Sequence, residues 1–138
     1  VYEDGAINQS SVLAQAEALV LQHATNAIVL RLAGLIGPTR NPGKFTSGKT
    51  LASAQAPVNL VDGRDVVRFI QLLIHHKNAQ GVYNLCFPDH PTKAAYYTQK
   101  CDELHLTPPD FTGQAEQGKK IDSKRTFEEL GFQYWHTI

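Results

Sequence analysis

The sequence contains no methionine, one tryptophan and two cysteines among its 138 residues. Two cysteines, Cys86 and Cys101, are too few for a disulfide framework and stand in no Cys-x-x-Cys spacing. One bridge or two reduced cytosolic thiols remain, and the second is the expectation. Charge is scarce: thirteen basic and thirteen acidic side chains cancel, and charged residues make up 19% of the chain, against about 25% in an average domain. A chain without net charge lacks the electrostatic footprint of sequence-independent nucleic-acid binding or of an anionic membrane surface. Apolar runs stop after a few residues, far short of the roughly 20 that span a bilayer. The first residues lack the basic-then-apolar layout of a secretory signal. The six histidines show no His-x-x-x-His spacing, and adjacent His75 and His76 point in different directions on a helix, so no metal site is expected. A chain that starts at Val1 and carries no methionine is expected to be either a piece of a larger protein or a sequence missing some of its residues.

What is present is a globular composition, 42% hydrophobic, with helix and strand patterns in alternation. Val12, Leu13, Ala16, Leu19 and Val20 share one face of a helix expected from about Ser10 to His23. Residues 27–33 (AIVLRLA) read as a strand buried on both faces, as in a parallel sheet. Glycines and prolines between Gly34 and Gly48 then mark a long loop, and loops of that length carry function. Residues 57–61 read as a short strand. Asp65 is the expected N-cap of a helix to His75 or His76 that buries Val66, Phe69, Ile70 and Leu73. Residues 82–87 form a further strand, and His90-Pro91-Thr92 opens a helix with Tyr97, Cys101 and Leu104 on one face. A last helix runs from Asp122 or Ser123 to Leu130 and stops at Gly131. Strands alternating with helices define an α/β protein, and residues 1–138 read as a single unit.

The sharpest motif match is Gly43-Lys44-Phe45-Thr46-Ser47-Gly48-Lys49-Thr50, which satisfies GxxxxGK[ST] for a phosphate-binding loop. Its context argues against it. Such a loop follows a strand directly and opens a long helix, whereas Gly37-Pro38-Thr39-Arg40-Asn41-Pro42 precedes it and Pro57 follows soon after. Arg31 inside an apolar strand needs an anionic or carbonyl partner, either a ligand or, the favoured reading, a neighbouring acid. Arg40 lies beyond the carboxyl end of that strand, where open α/β sheets bind ligands. Lys119-Lys120 offers a phosphate grip, against the commoner solvated surface pair. Tyr96, Tyr97, Phe132 and Trp135 read as packing residues. Neither GxSxG nor the GxGxxG dinucleotide fingerprint occurs. The residues themselves lead to an α/β chain with a ligand-facing loop, and to no reaction.

Arg31-Leu32-Ala33-Gly34-Leu35-Ile36-Gly37-Pro38-Thr39-Arg40, then Asn59-Leu60-Val61 and Asp65-Val66-Val67, then Gly81-Val82-Tyr83-Asn84, resembles the C-terminal half of the NAD-dependent epimerase/dehydratase family, the extended short-chain dehydrogenases/reductases. Pro108-Pro109-Asp110-Phe111 and the stretch from Gly118 to Phe132, with its closing ELGF, fit the bacterial nucleoside-diphosphate-sugar epimerase branch, and the likeness covers nearly the whole chain. It also takes Pro42-Gly43-Lys44-Phe45 away from the phosphate-loop reading, because that segment falls on the family's own PGxF.

The resemblance implies the C-terminal part of a Rossmann-type parallel sheet plus a small α/β substrate-binding lobe, with the dinucleotide-binding half outside this chain. It implies NAD or NADP as cofactor, passed by Leu32, Ala33 and Gly34. Tyr2, Gly37, Pro38, Arg40, Asn59 and Lys119 fall on the substrate side, facing a small-molecule nucleotide sugar. A cytoplasmic protein follows, for which a homodimer is a compatible assembly. The implied activity is that of an epimerase, dehydratase or related oxidoreductase. The family's catalytic YxxxK pair, in which Lys lowers the Tyr pKa for acid/base work near neutrality, falls at Gln9 and Leu13, so no catalytic residue is assigned. That departure carries the alternative: a protein of the same fold that binds dinucleotide without turnover, for regulation or partner binding. A phosphate-loop NTPase ranks third.

Overall fold

The computed structural model describes residues 11–113 and 118–138. Its elements run α1 (Val12–His23), β1 (Ile28–Leu32), β2 (Gly34–Ile36), α2 (Pro42–Thr46), β3 (Thr50–Ala52), β4 (Leu60–Asp62), α3 (Gly63–His75), β5 (Gly81–Leu85), α4 (Lys93–Asp102), β6 (Asp110–Thr112) and α5 (Lys124–Leu130). The strands form three pairs, β1–β5, β2–β4 and β3–β6, and every pair is parallel. The α/β expectation and the parallel pairing hold.

The strand expected over residues 27–33 is only half-buried along β1, not buried on both faces. It also changes partner. Ala33 donates its N–H to the Leu85 carbonyl at 2.9 Å, and Gly34 donates to the Asn59 carbonyl at 3.0 Å. One strand path therefore leaves β5 and joins β4. Glycine at position 34 keeps the switch uncrowded, because a Cβ there would lie 2.9 Å from Leu60 Cδ2 and 3.2 Å from the Asn59 carbonyl oxygen. Thus the stretch expected to be loop from Gly34 begins as β2. Its partner, β4, lies beyond the reach of a local pattern.

Asp62 ends β4 and caps α3 at once: its carboxylate accepts from the Arg64 backbone N–H at 2.8 Å. This corrects the cap expected at Asp65, which lies in the first turn and is fully buried. Helix α3 buries Val66 and Phe69 and leaves Ile70 exposed, contrary to expectation, while Leu73 packs against the core. Thr92 caps α4 by accepting from the Ala95 N–H, and α4 buries Tyr96 and Cys101 while Tyr97 is half-buried. Gly131 takes a left-handed φ of 62° and stops α5 as expected.

The main core joins Ala33, Val61, Phe69, Tyr83, Leu85 and Phe132, and a second cluster joins Ile36, Val58, Leu60 and Tyr96. Helix α1 forms where the apolar period put it, yet none of its residues is buried; Val12 and Leu13 are 79% and 82% exposed. One tie to the rest of the chain is Glu17, whose carboxylate accepts from Arg31 Nε at 3.0 Å in a two-pronged pair. The neighbouring-acid reading of Arg31 holds. Cys86 and Cys101 are both buried and free.

Candidate ligand pocket

Beyond the carboxyl ends of β1 and β5, residues 119–123 cross the sheet and are tied down by polar side chains. Asn59 Nδ2 donates to the Lys119 carbonyl at 2.7 Å, and its Oδ1 accepts from the Ile121 N–H at 2.8 Å. Buried Asn84 on β5 donates to the Asp122 carbonyl at 2.9 Å. Ser123 Oγ donates to the Cys86 carbonyl at 2.6 Å. Each bond satisfies a backbone group that no sheet ladder pairs, so the crossing segment is fixed without being a strand.

The chain then turns into α5 and, after Gly131, returns as an aromatic tail. Between this tail, the crossing segment and the loop after β5 opens a pocket of about 900 Å³. Phe87, Phe127, Phe132 and Tyr134 supply rings to its lining; Lys120, Lys124, Asp122, Ser123, His90 and Gln133 supply polar groups. A mostly apolar cleft with a few convergent polar groups at a strand's carboxyl end is the usual form of a small-molecule site in such sheets. Tyr134 is held by the Cys86 N–H, which donates to its hydroxyl at 3.1 Å. Burial pushes the Tyr134 phenol above its ordinary pKa despite that bond. Burial likewise pushes the Cys86 thiol up to about 11. Both groups are therefore protonated at neutral pH.

The residues singled out by sequence fall in three places. Leu32, Ala33 and Gly34 sit at the strand switch, with Ala33 buried and its neighbours exposed. Asn59 and Lys119 meet each other at the edge of the crossing segment, but Asn59 spends its amide on the backbone and Lys119 is joined through its carbonyl. The pocket wall is Lys120, the second residue of the lysine pair; the signal for it was the pair itself. Gly37, Pro38 and Arg40 form a turn beyond β2 in which Arg40 donates its N–H to the Gly37 carbonyl and its Nε to the Leu35 carbonyl at 2.8 Å. They do not line the pocket. Tyr2 and Gln9 lie outside the described residues, and Leu13 is an exposed aliphatic side chain on α1.

The phosphate-loop reading fails on geometry. Thr50 opens strand β3 rather than a helix, and Gly43 is buried in α2 against the backbone of α4. Among the described residues no group of three His, Cys, Asp or Glu side chains is placed to hold a metal ion. No described helix is long and apolar enough to cross a membrane.

The fold is that of the NAD-dependent epimerase/dehydratase and short-chain dehydrogenase/reductase proteins, which bears out the likeness read from the sequence. A short-chain dehydrogenase/reductase superfamily protein of Agrobacterium tumefaciens, solved with bound NAD, superposes with a TM-score of 0.75 at 19% identity, over 99% of this chain and 57% of that one. MoeE5, solved with UDP-glucose and NAD, gives a TM-score of 0.74 at 16% identity, over 100% of this chain and 55% of that one. In sequence, the chain is 43% identical over 112 residues to Protein YeeZ of Escherichia coli K12, covering 80% of this chain and 41% of that protein. The chain thus spans about two fifths of the length of the curated relatives it matches. No family model matches it.

Proposed function

We propose that this chain supplies the substrate side of a cytoplasmic NAD(P)-dependent enzyme acting on nucleotide sugars, as an epimerase, dehydratase or related oxidoreductase. The observation that carries the proposal is the pocket. Its lining joins aromatic rings with Lys120 and Lys124, the second of which pairs its ammonium with Glu128 at 2.9 Å, in a fold shared by MoeE5, which was solved with UDP-glucose and NAD. A nucleotide base offers a flat π face to rings such as Phe87 and Phe127, and a diphosphate offers charge to Lys120 and Lys124. In this reading Asn59 acts through residues 119 and 121, which it holds. Gly37, Pro38 and Arg40, which stand outside the pocket lining, have no contact with the ligand in this reading.

For the cofactor, Leu32 and Gly34 present a low, exposed strand end beside buried Ala33, which fits the ring end of a nicotinamide dinucleotide. In this reading the grip on its pyrophosphate belongs to a dinucleotide-binding half outside this chain. When bound, the cofactor would supply the hydride acceptor.

The test is calorimetric titration of the chain with UDP-glucose. Binding that weakens about tenfold in Lys120→Ala, the loss of one charge-assisted contact, supports the proposal; a wild-type chain that binds neither UDP-glucose nor UDP at millimolar concentration refutes it. The exposed aliphatic Leu13, at the position where the family's lysine would fall, favours a second reading: dinucleotide binding without turnover. A longer product containing this chain that binds NAD and UDP-glucose but yields neither epimer nor reduced cofactor would decide for it.

A further inference from the structure

We propose that Asp65 and Arg68 are positioning residues for the pocket: from α3 they seat residues 132–136 as a strap, and the inner side of that strap is a pocket wall. The proposal rests on the reading that the pocket is a ligand site, and it concerns how one wall is held.

Asp65 is a fully buried carboxylate on a helix whose cap is already supplied by Asp62. Its oxygens face the tail. The Trp135 N–H donates to Oδ1 at 3.1 Å and the His136 N–H to Oδ2 at 2.9 Å. Arg68 closes the arrangement, donating from one guanidinium nitrogen to Asp65 Oδ1 at 2.7 Å and to the Gln133 carbonyl at 3.1 Å. The same guanidinium lies 3.4 Å from the centre of the Trp135 ring and 5.4 Å from that of Phe132. A buried charge is costly unless it is fully hydrogen-bonded, so this carboxylate and the tail's backbone require each other. Trp135 is 72% exposed. Its ring therefore serves the strap as a plate under the guanidinium more than as core.

The other side of the strap faces the pocket, where Phe132, Gln133 and Tyr134 form part of the lining. Edge-to-face rings continue from the core into that wall: Phe69 to Phe132 at 4.9 Å, Phe132 to Tyr134 at 5.2 Å, and Tyr134 to Phe87 at 5.8 Å. The wall is thus anchored at Asp65 on one side and at the Cys86 N–H on the other. Releasing the α3 anchor frees the strap and deforms the pocket, although neither Asp65 nor Arg68 lines it.

The test compares the wild-type chain with Asp65→Asn and Arg68→Gln by backbone hydrogen exchange and by titration with 1-anilinonaphthalene-8-sulfonate, an aromatic anion suited to rings and lysines. Asp65→Asn turns one acceptor oxygen into a donor facing an N–H. The Trp135 and His136 amides should then exchange about tenfold faster while β5 keeps its protection, and dye affinity should fall severalfold. Arg68→Gln leaves both backbone bonds to Asp65 and should show a smaller change in the same direction; it serves if Asp65→Asn does not fold. Unchanged exchange in the folded variants overturns the anchor, and faster exchange with unchanged dye affinity overturns the wall. Failure of the wild-type chain to bind UDP-glucose bears on the nucleotide-sugar reading alone.

Discussion

A Cβ added at Gly43 would lie 2.3 Å from the Lys100 carbonyl oxygen, 2.8 Å from its carbonyl carbon and 3.1 Å from the Cys101 nitrogen. All three atoms belong to the backbone of α4, so no side-chain rotation relieves the contact. Ordinary carbon contacts begin near 3.5 Å, and restoring that separation moves α2 off α4 by about an ångström. The shift weakens what joins the two helices: the Cys101 thiol donating to the Gly43 carbonyl, and the buried contact of Thr46 with the same thiol. Gly43→Ala should cost about 3 kcal/mol, the upper end for overpacking, and lower the unfolding midpoint by roughly 10 °C in a domain of this size. Chemical and thermal unfolding followed by circular dichroism measure both quantities. Lys44→Ala, on the exposed side of the same helix, is the control and should stay within about 0.5 kcal/mol of wild type. A Gly43→Ala protein as stable as that control would refute the argument. If Gly43 instead served a phosphate loop, its replacement would alter nucleotide binding at unchanged stability.

Asn59→Ala removes both bonds that hold residues 119 and 121 and should cost about 1–2 kcal/mol; urea unfolding gives the loss, with faster amide exchange expected at Ile121. Two carboxylates predict the acid limit of stability. The Arg64 guanidinium holds Asp62 below its ordinary pKa; at Asp65, burial acts upward but is outweighed by bonds from Trp135, His136 and Arg68, so its pKa is also lowered. Groups with depressed folded pKa values contribute fully above the unfolded value of about 3.9 and lose that contribution as pH falls through the folded value. Stability measured from pH 6 to pH 2 should therefore fall below about pH 4, and less steeply in Asp62→Asn/Asp65→Asn; equal slopes would contradict this.

Elements whose signals are local were legible in the sequence. Thr92 before α4 and Gly131 after α5 act as caps because a cap depends on the adjacent turn alone. At α3 two acids stand three residues apart, and the choice between them turned on where β4 ends. The same limit hid β2: three residues after a glycine look like loop until Leu60–Asp62 is there to pair with them. The apolar stripe of α1 predicted a helix but could not predict what it would face. In the pocket, the lysine pair and the aromatic tail were visible. Arg68 three residues on is a visible partner for Asp65, but the tie to residues 135 and 136 was not legible, because it runs through backbone N–H groups about seventy residues along the chain, which leave no mark in side-chain identity.

Parallel pairing throughout has a kinetic consequence. Among the described residues no named strand closes on its neighbour through a hairpin; β1 waits for β5, β3 waits for β6, and only β2 and β4 are separated by a modest stretch of chain. Loop-closure entropy must be met before such contacts stabilise anything. The earliest long-range order is therefore expected at Gly34–Ile36 against Leu60–Asp62. A chain emerging from the ribosome carries β1 with an open edge until residues 81–85 have been made. During that interval the exposed apolar strand is a target for chaperones, and slow synthesis around residue 80 lengthens the exposure.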